Sequence, residues 1–122
     1  MLINQKLLPQ ELFEHYKVLW TGSLTKGNTV TLNDNIKNYN FVFVRMGSAA
    51  SYVMCPIVQT TNAVRGINNF ISDSYVYIDL MTLKASCDDT QFTFINAVAL
   101  RLTTSGITEQ IYNTITEIIG VR

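Results

Sequence analysis

The chain predicts an all-β domain, an antiparallel β-sandwich of jelly-roll type with a short N-terminal helical or extended segment. Three observations carry that expectation. Two short runs, Val18 to Leu24 and Thr29 to Leu32, flank Lys26-Gly27-Asn28. Gly27 and Asn28 tolerate the positive φ of a tight reversal, so this stretch reads as a β-hairpin. Ser74 to Leu83 alternates, with Tyr75, Tyr77, Asp79 and Met81 on one face and Val76, Ile78 and Leu80 on the other. Other short β-branched and aromatic runs recur between polar turns, at the spacing of a sandwich.

The elements follow in order. Residues 1–15 stand apart as an N-terminal anchoring or oligomerisation segment, leaving 16–122 as the β-sandwich domain. Pro9 can open a short helix with Glu11 in its favourable first turn. Leu2, Leu7, Leu8, Leu12 and Phe13 are more apolar surface than a free tail should expose, so they are expected to pack on the body or against copies of themselves. Asn33 to Asn40, rich in Asn and Asp, reads as a loop. Phe41 to Val44 is a strand ended by Gly47-Ser48, and Ser51 to Val58 is another, with Pro56 demoting its end to an edge or bulge. Gln59 to Ser72 is polar and carries Gly66 and three asparagines, which predicts a long loop. Gln91 to Thr103 is the next strand. At the C-terminus, Ile111, Ile115, Ile118 and Ile119 fit a helical face, yet the β-branched run favours a closing strand, Thr114 to Val121.

Composition narrows the function classes. A chain of 122 residues is long enough for one domain with a real core, and 48% apolar content fits a folded protein. Nine basic and nine acidic residues cancel, so the basic stripe that drives nucleic-acid affinity is missing. A zero net charge also gives little self-repulsion, which suits association. Met1 to Leu12 is too short and too polar for a signal peptide or a membrane helix. Cys55 and Cys87 could form one bridge; without an export signal, two reduced core cysteines are the expectation. Neither a nucleic acid nor a membrane is an expected partner, and no cofactor or metal is expected.

Reaction chemistry is hard to find. Trp20 could stack on a sugar, but beside Leu19 in an alternating strand it reads as core. His15 is the only histidine, and no nucleophile or orienting group accompanies it in the sequence, so a solvated or interface role is expected. Asp88-Asp89, between two predicted strands, read as turn residues. The glycines form no phosphate-cradling loop. Tyr52, Tyr75 and Tyr77 suit recognition, because tyrosine offers area and a hydroxyl with only two torsions to freeze. Asn62, Arg65, Asn68 and Asn69 offer amides and one bidentate cation that match hydroxyl-rich or anionic glycans. These seven residues are the binding candidates; no catalytic residue is assigned, because a glycan enzyme needs two placed carboxylates.

The block from Leu19 to Leu32, the Asn33 to Asn40 loop, the Phe-Val-Phe-Val strand (Phe41 to Val44) and the closing Ile115 to Arg122 together resemble a module of tail-fibre and other virion surface proteins in phages of Gram-positive hosts. The shared pattern is a leucine-tryptophan-x-glycine start, a small hairpin, and an isoleucine-x-glycine-x-basic end. It covers about Val18 to Val44 and the last eight residues; in that family the module follows a long shaft, so the resemblance fits either a complete small virion protein or a C-terminal fragment. The resemblance implies a non-enzymatic virion protein at the virion surface, assembled in the host cytoplasm. It implies a homotrimeric module of a tail fibre, head fibre or capsid decoration, mediating host attachment or particle assembly. Its expected partners are its own copies, other virion proteins and a host cell-wall glycan. The resemblance also favours a strand at the C-terminus. A free carbohydrate-binding module or a glycan-directed enzyme accessory domain is the alternative, and a purely structural role with no small ligand is a third.

Overall fold

The computed structural model describes residues 15–47, 52–71 and 77–122. The anchoring residues Leu2, Leu7, Leu8, Leu12 and Phe13, and the binding candidate Tyr75, lie outside these. The described chain is almost wholly extended: β1 (Tyr16–Thr25), β2 (Thr29–Thr31), a 3-10 turn (Ile36–Asn38), β3 (Phe41–Met46), β4 (Tyr52–Pro56), β5 (Ala63–Ile71), β6 (Tyr77–Asp88), β7 (Gln91–Thr103), β8 (Gly106–Ile111) and β9 (Thr114–Val121). The closing strand has the bounds expected from the sequence.

All pairings are antiparallel. They join nine strands into one sheet in the order β1-β9-β3-β4-β5-β6-β7-β2, with β8 added beside β7. The all-β, antiparallel expectation holds, as a single curled sheet in place of two separate ones. The expected hairpin is corrected here. Lys26-Gly27-Asn28 is a turn, with Gly27 at φ 90° and Asn28 N–H donating to Thr25 O at 3.1 Å. Yet β1 pairs with β9 and β2 with β7. A three-residue turn therefore connects the two ends of the sheet, which can be so only if the sheet curls back on itself. The turn's own bonds hold that closure: Lys26 N–H donates to Asn113 O at 2.9 Å, and Gly27 N–H to Phe94 O at 2.7 Å.

Alternation then sends one side chain in two to the inside. Leu19, Leu24, Val42, Val44, Met46, Val53, Cys55, Val64, Leu83, Phe92, Phe94, Ile115 and Ile118 form the core. Each such burial contributes roughly 1.5–3 kcal/mol before entropy is subtracted. Trp20 packs partly buried against this cluster, as expected. Its indole lies over Gly22, where an added Cβ would come within 2.7 Å of the ring. The leucine-tryptophan-x-glycine pattern is thus a packing motif at a bulge, since the β1–β9 register shifts between Thr21 and Leu24.

The Asn33 to Asn40 loop is as expected, with a 3-10 turn capped by Asn35, whose Oδ1 accepts from Lys37 N–H at 2.9 Å. Lys37 Nζ then donates to Gln59 O and Thr61 O, at 2.9 and 3.1 Å, tying down the β4–β5 connection. The long loop expected over Gln59 to Ser72 is corrected: only its first part is a loop, and Ala63–Ile71 is β5, paired along its length with β6. Gly66 belongs there because β4 comes too close for a side chain. A Cβ at that position would run into Met54 O and would lie 2.6 Å from Cys55 Sγ.

Candidate interaction surface

The strands β5, β6, β7 and β8 form one arm of the sheet, and their registers define its faces. On the inner face, Val64, Leu83, Ala85, Ala97 and Ala99 enter or border the core. On the outer face, cross-strand rows can be read off the pairing. Ile78, Leu102 and Ile107 share one row. Asn69, Leu80, Leu100 and Glu109 form the next. Ile67, Thr82, Val98 and Ile111 form a third, and Arg65, Lys84 and Asn96 a fourth. Large apolar side chains stand in water along this face: Ile67 at 59% exposure, Ile107 at 68% and Ile111 at 54%, with Ile78 and Leu100 also exposed. Contiguous exposed apolar surface of this kind makes this face the candidate contact surface.

The apolar exterior continues round the sheet. Tyr16 and Val18 on β1 are exposed, as is Met54 on β4. Tyr16, Phe43, Tyr52 and Ile119 line a shallow apolar hollow of about 260 Å³. Phe43 meets Phe41 edge-on at 5.5 Å and Tyr52 at 6.4 Å, so this part of the wall is aromatic.

The binding candidates from the sequence do not converge. Tyr52 points outward on β4 and donates its hydroxyl to Glu117 Oε1 at 2.6 Å. That bond, followed by partial burial, raises the hydroxyl pKa above its ordinary value. Arg45 sits on the intervening strand, across from both Tyr52 and Glu117. Asn62 lies in the β4–β5 connection, where its carbonyl accepts from Cys87 N–H at 2.8 Å. Arg65 and Asn69 are exposed on the outer face of β5. Asn68 faces the other way, across from Met81, and its Oδ1 accepts from Asn69 N–H at 2.9 Å. Tyr77 shares its face with Asp79, as the alternation predicts, and lies under Arg101, whose Cζ is 3.9 Å from the ring centroid.

Arg101 was not singled out by its sequence context, yet it organises this end of the arm. Its Nε and NH2 groups donate to the two carboxylate oxygens of Asp79 at 2.8 and 2.9 Å. The guanidinium holds the Asp79 carboxyl below its ordinary pKa, against the opposing effect of burial. The cluster satisfies itself: the cation has its carboxylate and its aromatic face, so it reads as a clasp between β6 and β7.

Other acidic side chains have structural tasks too. Asp34 accepts from Tyr39 and Asn38, and Asp89 adopts φ 57° in the turn between β6 and β7, a turn residue as expected. His15 is exposed at the seam of β1 and β9, with Nδ1 2.9 Å from Arg122 O. Cys55 and Cys87 are free, buried thiols, and burial pushes both up to about 12. Among the described residues no three His, Cys, Asp or Glu side chains gather to hold a metal ion.

Missed in the sequence were Ile67, hidden within the polar stretch, and β8 itself. The signal for β8 was present as Ile107-x-Glu109-x-Ile111, a period-two pattern. It was masked because Ile111 also fits a helical series with the isoleucines that follow. No protein-family model, no curated protein and no solved structure matches the chain.

Proposed function

We propose that this chain is a non-enzymatic structural subunit of a virion surface: a homotrimeric module of a tail fibre, head fibre or capsid decoration, whose work is contact with its own copies, with other virion proteins and with the host surface. One observation carries the reading. The curled sheet has a filled apolar inside and, on the arm from β5 to β8, an outside whose isoleucines and leucines remain in water. A monomer that stayed alone would gain nothing from that exterior and would risk aggregation.

Further support comes from the chemistry of the acidic groups. Asp34, Asp79 and Glu117 are each engaged by structural partners, which takes those three carboxylates out of proton transfer to a substrate. The sequence resemblance to virion surface modules points the same way. Attachment by such a module draws its strength from avidity, because weak sites on one assembly act at high effective concentration.

Sedimentation of the purified chain tests this reading. The expected mass is about three times that of the 13.8 kDa monomer, as for a closed ring of three copies. A monomer persisting at high micromolar concentration would overturn it.

A further inference from the structure

A strand repeats its outward side chains every second residue, about 6.6–6.8 Å apart. β5 presents Ala63, Arg65 and Ile67 outward in that period, and the surface dips on either side of Arg65. One hollow of about 400 Å³ is lined by Met54, Pro56, Arg65, Gly66 and Ile67. Another of about 280 Å³ is lined by Pro56, Val58, Thr61, Ala63 and Arg65. Lys84 stands directly across from Arg65 on β6. Like charges in that relation destabilise a ladder unless an anion is supplied. Among the described residues, neither cation has an ion pair or a side-chain hydrogen bond.

β8 carries the complementary pattern. Ile107, Glu109 and Ile111 face outward at the same spacing and all are exposed. Glu109 likewise has no partner among the described residues. An apolar–acid–apolar stripe on β8 thus answers a hollow–cation–hollow stripe on β5. Within one chain the two cannot meet, because β6 and β7 separate them by about 14 Å across the sheet.

We propose that β8 of a second copy of this chain lies along the outer face of β5, with its Glu109 between Arg65 and Lys84 and its Ile107 and Ile111 in the two hollows. Each copy then gives β8 and receives at β5. Such a head-to-tail contact builds a ring when its rotation closes, which accords with the trimer. The inference rests on the assembly reading above and names the surface that performs it. It also explains the opposed cations on β5 and β6: they are a receiving site, neutralised by the neighbour.

The test is sedimentation equilibrium of the full chain and three variants: E109R, R65E/K84E, and the triple charge swap. The substituted side chains are all exposed, so circular dichroism and melting should match the unmodified protein. E109R and R65E/K84E should each weaken self-association by about tenfold or more, and the triple variant should recover most of that loss. Unchanged association in both would overturn this contact while leaving an oligomeric protein and the assembly reading intact. Weakening without recovery in the triple variant would overturn it too. A monomeric unmodified chain would overturn the assembly reading itself, and this contact with it.

Discussion

Tyr39 donates its hydroxyl to Asp34 Oδ2 at 2.8 Å from a side chain that is only 1% exposed. This bond is the main reason that Asp34 titrates below its ordinary value, helped by Asn35 N–H, by Asn38 and by Lys17 at 3.8 Å. A carboxylate with a lowered folded pKa contributes stability above its unfolded value, and loses it as pH falls through the folded one. Asp34→Asn should therefore cost about 1–3 kcal/mol at neutral pH, and the gap to the unmodified protein should narrow as pH drops below 3.8. Urea unfolding across an acid series measures this; a gap that does not change with pH would contradict it.

The same pair acts in the opposite sense in alkali. Burial, and then the Asp34 carboxylate, push the Tyr39 hydroxyl up to about 12 from 10. The raised folded value gives stability that is complete below pH 10 and is lost as pH climbs through about 12. Tyr39→Phe should lose about 1 kcal/mol at neutral pH, and should show a flatter alkaline decline than the unmodified protein. Parallel alkaline unfolding curves for the two would count against it.

Besides Gly22, two further glycines are required by space. An added Cβ at Gly120 would sit 2.7 Å from Tyr39 Cδ1, and at Gly66 it would meet the β4 backbone. Gly120→Ala and Gly66→Ala should each destabilise by about 1–3 kcal/mol, read as a lower denaturant midpoint at unchanged slope. Gly27, with nothing within 4 Å of its Cβ position, has room, so any cost of Gly27→Ala should come from its φ of +90° alone.

The thiols should be silent in the folded protein. Cys55 and Cys87 are buried, with burial the leading cause of their raised pKa and the Asp88 and Asp89 charges adding to it at Cys87. A disulfide-forming thiol reagent should react with neither under native conditions and with both in denaturant. Rapid native labelling would show that the wall around them opens readily.

Much of this fold is legible in the residues. Thr114–Val121 is written in its β-branched run, and the turn at Lys26-Gly27-Asn28 in its glycine and asparagine. What the turn cannot reveal is which partners its flanking strands choose, because pairing with β9 and β7 is decided by residues far away in sequence. β5 was hidden for a different reason. Its inward positions include Gly66, small because β4 is close, and its outward ones include Arg65 and Asn69, which on a lone strand read as loop polarity. Tertiary pairing overrides such local preference. β6 runs on to Asp88, beyond the Leu83 expected, because Ala85 and Cys87 are small residues facing the core. The binding candidates scattered for the same reason: neighbours in sequence alternate between faces, so Asn68 and Asn69 cannot share a site.

The pairing of the first strand with the last has a consequence for biogenesis. β1 is made well before β9, its ladder partner, so its apolar side stays unpaired until the last strand has been synthesised. Ring closure is consequently a late, non-local event, and slow folding with high contact order follows from it.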